Sequence, residues 1–228
     1  MRFALEKEHK DYFQKEGCIE FENLLSEKEV VELNQALESV LVKRLEATSE
    51  RLEFFPFEQT FLAGRDSWRE NAYVKKSVCK LRLAEIASQL SGIKPLRLGY
   101  DQLLFSGFPS VLPKTSQNSL VSSLVGNEKF SLTDISGFQG SLCGLILCLA
   151  NETDRESGQE KPILRENVFS TSVGSGVYFN QETLISYWPV LQKPYQRYLL
   201  IVYTGKYSFY VPREGDPNIH FLKKLKKH

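Results

Sequence analysis

Histidine is nearly missing from this sequence. His9, His220 and His228 are the only three in 228 residues, and none falls in the long middle of the chain. A metal centre made of two imidazoles and a carboxylate therefore has no imidazole to draw on in that stretch. Long apolar runs are missing too: the longest, 142–150, spans nine residues, against the roughly 20 that a membrane helix needs. No membrane span is expected. Charge of one sign is also lacking, since 29 basic and 28 acidic side chains leave a net charge of +1. No global field draws such a chain onto nucleic acid or an anionic membrane, so any contact of that kind must be local. The opening residues, Met1-Arg2-Phe3-Ala4-Leu5-Glu6-Lys7-Glu8, meet charge at once and hold no apolar segment of leader length, which argues against secretion.

Cysteine is sparse as well. Cys18, Cys79, Cys143 and Cys148 are too scattered for a disulfide frame in a chain of this size. The last two lie five apart in a strand-like run, which points them to opposite faces of a sheet, where they cannot chelate one metal. Reduced cysteines acting as small apolar core residues are the expectation, and with them a cytoplasmic location.

What is present is enough apolar surface for a full core, 42% of residues, and the expected organisation is one domain over 1–228. Its helical part runs over about 9–92, its β core over about 96–212, and a basic tail over 213–228. Ser26-Glu27-Lys28-Glu29 is a capping box, and Val30, Leu33, Leu37, Leu41 and Leu45 follow at helical spacing, so a helix starts at Glu27. A short helix over 9–16 and a strand around Gly17-Cys18-Ile19-Glu20-Phe21 precede it. Val74, Val78, Leu81, Ile86 and Leu90 predict one further helix over 73–90, stopped by Gly92. From Leu96 the period changes to two. Strands are expected at 98–105, 142–150, 168–171, 177–179, 184–188, 199–203 and 207–211, with Gly174-Ser175-Gly176 as a tight turn. A serine-rich connection fills 106–140, too long for a plain turn. The aromatic group Phe54, Phe55, Phe57, Phe61 and Trp68 has no regular period and is expected to pack mostly inward. Helices first and strands later define an α+β fold.

Three blocks of residues carry a family likeness. The first is Asp11-Tyr12-Phe13, then Gly17 through Ser26, then Glu29-Val30. The second is Leu83-Ala84-Glu85-Ile86-Ala87 to Leu90 and Gly92, followed by Asp101-Gln102-Leu103. The third is Gly174-Ser175-Gly176-Val177-Tyr178-Phe179-Asn180 with Arg197-Tyr198-Leu199-Leu200. Together they resemble the phytanoyl-CoA dioxygenase group of iron(II)/2-oxoglutarate-dependent oxygenases. The resemblance implies a double-stranded β-helix core, jelly-roll or cupin-like, flanked by N-terminal helices. It also places that family's first histidine and its aspartate near Ser116-Gln117-Asn118 and its second histidine near Ser186, so Ser116, Asn118 and Ser186 stand where metal ligands belong. Hydroxyls and an amide are poor ligands for iron(II) because they bring no negative charge. Arg197 falls where the family keeps the arginine that grips the far carboxylate of 2-oxoglutarate; its plain alternative is an ordinary salt bridge.

The reading that results is a diverged, non-catalytic protein of the dioxygenase fold, a pseudoenzyme with no catalytic residue and no cofactor, taking a small organic anion or a protein partner. One alternative is an active oxygenase that binds iron(II) and 2-oxoglutarate through unusual ligands, drawn from Asp134, Glu128 or cysteine thiolates. Another is a divalent-cation-responsive DNA-binding regulator, resting on the capped helix and the lysines of the tail. The serines of the long connection lack a base to activate them, and the glycine turn lacks the lysine and helix of a phosphate loop.

Overall fold

The computed structural model describes residues 5–105, 129–151, 169–185 and 196–211. Helix α1, Lys7–Glu16, ends because Gly17 takes a left-handed conformation and returns its amide to the Phe13 carbonyl. Strand β1, Cys18–Phe21, follows directly. The Ser26 box then opens α2, Glu27–Leu45, with Glu29 answering the Ser26 amide at 3.0 Å. One stripe of α2 (Val30, Leu33, Ala36, Leu37, Val40 and Leu41) is buried. Each valine and leucine of this stripe contributes roughly 1.5–3 kcal/mol over the exposed state, which fixes the helix on the sheet rather than in solvent.

The sheet has five antiparallel strands in the order β1-β5-β4-β6-β2. Its members are β2 (Leu96–Phe105), β4 (Leu142–Ala150), β5 (Gly176–Asn180) and β6 (Arg197–Gly205), joined by β1 at one edge. A second, two-stranded sheet pairs β3 (Phe138–Gln139) with β7 (Phe209–Tyr210). Strict alternation divides the large sheet's side chains. Leu103, Leu145, Leu147, Leu199 and Ile201 pack with α2 and the later helices. Tyr100, Ile146, Val177, Phe179, Leu200 and Val202 pack with Phe138 and Tyr210 of the small sheet. Cys143 and Cys148 fall on these opposite sides, as a five-residue separation requires, and all four cysteines are free thiols.

A bulge sets this partition on β2. The register slips between Leu98 and Tyr100, and a side chain at Gly99 would meet Thr204 Cγ2 at 2.8 Å. Leu98 packs on the helical side while Tyr100 turns between the sheets.

Several elements differ from their sequence patterns. Residues 73–90 form two helices, α4 (Ala72–Val78) and α5 (Leu81–Ser91), because Lys80 leaves the helical conformation. Leu81 is 70% exposed, and Leu83 supplies the core contact in its place. Of the expected strand at 168–171, Phe169 and Ser170 are irregular: the Ser172 amide donates to Ser170 Oγ at 3.2 Å, a local turn that displaces the ladder. Residues 206–207 are a turn, which shortens the last strand to two residues. Ile185 makes only an isolated bridge to Phe130, and 186–188 lie outside the described residues. The end of the long connection is structured instead of open, since Ser131 and Asp134 form a second capping box on a short helix α6 (Leu132–Ser136). The aromatic segment folds into α3 (Phe57–Ala63) between two 3₁₀ turns, Ser49–Phe54 and Ser67–Arg69. Phe57 and Phe61 are buried there, whereas Phe54 is 71% exposed. Among the described residues no helix is long and apolar enough to cross a membrane.

Candidate functional site

Ligand sites of β-barrel-like folds lie preferentially at the barrel mouth, which makes the space between the two sheets the first place to look. Among the described residues it is lined mainly by rings. Tyr100 stacks on Phe138 with centroids 6.1 Å apart, Phe138 meets Tyr210 at 5.6 Å, and Phe169 meets Tyr198 edge-on at 4.9 Å. Phe179 lies across the strand from Gly144 and fills the volume a side chain would take there: a Cβ at 144 would sit 2.1 Å from Phe179 Cζ.

Gln102 and Arg65 are among the polar groups that interrupt this apolar lining. Gln102, fully buried on β2, donates its amide nitrogen to the Phe61 and Leu103 carbonyls, each at 2.8 Å. Arg65, 4% exposed, forms a single β-bridge opposite Gln102 and holds its guanidinium carbon 3.7 Å above the Tyr100 ring. The adjoining Asp66 and Asp101 are also buried. Asp66 accepts from Trp68 Nε1 at 3.1 Å and Arg69 Nε at 3.2 Å. Asp101 accepts the Ser67 and Trp68 amides at 3.1 Å each. Burial lifts the Asp101 carboxyl to about 7, although the Trp68 amide favours its charged form; the Asp66 charge lifts it further, and the Ser67 amide and Arg65 act against that.

Of the residues singled out by sequence, Ser116, Asn118, Ser186 and Glu128 lie outside the described residues, as do Ser119, Ser122 and Ser123 of the long connection, His220, His228 and the basic tail. Arg197 opens β6 on the side that faces the helices, in step with Leu199 and Ile201. Its Nη1 lies 3.1 Å from Glu38 Oε2 of α2, and its guanidinium covers the Phe105 ring at 4.8 Å. A shallow groove of about 340 Å³ adjoins this pair, lined by Val31, Asn34, Glu38, Phe105, Ala150 and Arg197. Asp134 is engaged in the Ser131 cap.

Iron(II) does not suit the described lining. An aromatic wall, a thiol, an arginine and a carboxamide offer neither imidazole nor carboxylate to a divalent ion, and among the described residues no three His, Cys, Asp or Glu side chains converge. His9, the one histidine described, sits on α1 with its ring centroid 5.8 Å from that of Phe21.

No protein-family profile matches the chain, and no curated protein does. Solved structures do. The chain has the cupin-like α+β fold of iron/2-oxoglutarate-dependent oxygenases. One neighbour is SnoK, a non-heme α-ketoglutarate-dependent carbocyclase of nogalamycin biosynthesis: 16% identical, TM-score 0.59, covering 97% of this chain and 91% of that one. Another is the α-ketoglutarate-dependent epimerase SnoN, 16% identical with a TM-score of 0.57 over 95% and 87%. HygX from Streptomyces hygroscopicus, with nickel and 2-oxoglutarate bound, matches at 14% identity and a TM-score of 0.50 over 92% and 90%.

Sequence reasoning missed Arg65. Neither period nor motif marks it, and its nearness to Gln102 exists only once α3 has folded against β2.

Proposed function

We propose that this chain is a metal-free, non-catalytic binding protein on an oxygenase fold, and that its ligand is a small organic anion or a protein partner. One observation carries the reading: no histidine occurs from residue 10 to 219, the stretch that contains every strand among the described residues. Iron(II) held on one face by two imidazoles and a carboxylate needs ligands that this stretch does not encode. The ring-lined space between the sheets supports the same conclusion, since desolvating a divalent ion there meets no compensating charge. A nucleic-acid role gains nothing from α2. Its apolar stripe is committed to the core, and its outward Lys28 and Lys43 pair with Glu32 and Glu70.

Anaerobic titration of the purified chain with iron(II), followed by metal analysis and an assay for succinate formed from 2-oxoglutarate, tests this. The expected result is no stoichiometric iron and no turnover. One-to-one iron with succinate production would overturn it.

A further inference from the structure

We propose that Arg65 and Gln102 form the recognition pair of a binding site for a small hydroxy acid, on the face of β2 that looks between the sheets. The placement follows from backbone pairing. The Asp66 amide donates to the Asp101 carbonyl and the Leu103 amide to the Gly64 carbonyl, both at 2.9 Å, so Arg65 lies directly opposite Gln102 and shares its face. Gly64 lets the two segments close up: a side chain there would meet Leu103 Cβ, Leu103 O and Thr60 O, each at 3.0 Å.

The chemistry follows from what this pair leaves unmade. Among the described residues, Arg65 Nε and Nη1 are buried with no acceptor, and Gln102 Oε1 is buried with no donor. The Gln102 amide cannot be turned round to cure this, because its nitrogen already serves two carbonyls. Arginine stays protonated, and although Asp101 lies near enough to attract it, neither buried nitrogen has an acceptor, which leaves desolvated charged donors unmet. The adjoining carboxylates are committed elsewhere, Asp66 to Trp68 and Arg69 and Asp101 to two amides. An ordered water could serve Gln102 but could not neutralise Arg65. A ligand that satisfies both needs a carboxylate for the guanidinium and a neutral hydroxyl to donate to Gln102 Oε1. Simple and 2-oxo acids have the first and lack the second. An amino acid's ammonium would donate, but it would set a second cation beside Arg65. Sites built around a buried hydrogen-bonding group reject analogues that leave it unpaired.

This deepens the metal-free reading, because it gives the space between the sheets an organic ligand in place of an ion. Isothermal titration of the full chain in chelator would compare glycolate, L-malate and 2-hydroxyglutarate with acetate, succinate and glutarate, and with 2-oxoglutarate and inorganic phosphate. At least one hydroxy acid is expected to bind at least about tenfold more tightly than its deoxy counterpart, 2-oxoglutarate or phosphate. Arg65→Met should abolish that binding, and Arg65→Lys, which keeps the charge but loses the fork, should weaken it at least about tenfold. Gln102→Met should erase the preference for the hydroxyl. No saturable binding below about 10 mM would overturn the proposal. So would equal affinity for the deoxy acids or phosphate, or an unchanged Arg65→Met protein. If the hydroxy acids fail while iron is also absent, only this inference falls; iron-dependent turnover would sink the metal-free reading whatever the acids do.

Discussion

The two faces of the five-stranded sheet are built on different rules. On the helical side, Leu103, Leu145, Leu147, Leu199 and Ile201 meet the stripe of α2, and aliphatic packing dominates. Between the sheets, rings from Tyr100, Phe138, Phe169, Phe179 and Tyr198 interlock around a glycine and a buried arginine. Aliphatic side chains tolerate exchange as long as volume is kept, so the first face secures stability without demanding particular residues. Planar rings fitted against backbone tolerate much less, and the buried charge beside them adds a requirement that packing alone does not explain. Specific chemistry therefore belongs to the second face.

Substitution at neighbouring positions of β4 would break this contrast most directly. Gly144→Ala places a methyl 2.1 Å from Phe179 Cζ and 2.5 Å from Cε1, inside any normal contact. Phe179 is fully buried and has little room to yield, so a loss of about 3 kcal/mol in urea denaturation is expected. Leu145→Met, one residue along and facing the helices, should lose less than about 1.5 kcal/mol. Adding Phe179→Leu should recover part of the Gly144→Ala loss, because the two positions are coupled. Equal losses at 144 and 145 would show that the faces do not differ as described.

A smaller effect separates the charged groups along β2. Asp101 lies one residue from Gln102 but is held by the Ser67 and Trp68 amides. Its carboxyl, ordinarily near 3.8, is lifted to about 7, chiefly by burial. The folded protein thus keeps a proton that the unfolded chain has released. The stabilisation is complete below the unfolded value and is lost as pH rises through the folded one. Between pH 5 and 8 the native chain should lose on the order of 2 kcal/mol from this group. Asp101→Asn, which cannot titrate, should show a flatter profile in urea midpoints collected across that range. Parallel profiles would mean that Asp101 is already ionised at pH 5.

How much of this was legible beforehand depended on whether the decisive partner was local. The Ser26 box marks the start of α2, and the run 142–150 is β4 from end to end, because a cap and a continuous apolar run are written in adjacent residues. The helix break at Lys80 was hidden, since Leu81 fits the helical spacing that Leu83 in fact satisfies. The bulge at Gly99, which decides which β2 side chains look between the sheets, depends on Thr204 and Val202 far along the chain. Arg65 was invisible for the same reason, while Gln102 could be read only as part of a family likeness.

The smallest expected effect concerns Arg197, whose position in the sequence suggested a carboxylate grip. Its partner is Glu38, at 3.1 Å, with the two side chains 23% and 29% exposed. Pairs this open to solvent contribute roughly 0–1 kcal/mol, and the Phe105 ring beneath the guanidinium adds a modest cation–π term. Arg197→Met should therefore cost less than about 1 kcal/mol, and a double-mutant cycle with Glu38→Gln should return a coupling within the same limit. The more telling readout is binding. Because Arg197 faces the helices and Arg65 faces the space between the sheets, Arg197→Met should leave hydroxy-acid affinity unchanged while Arg65→Met removes it. Loss of binding in Arg197→Met with Arg65→Met unaffected would move the acid to the groove beside α2, and the two faces of the sheet would exchange the roles assigned to them.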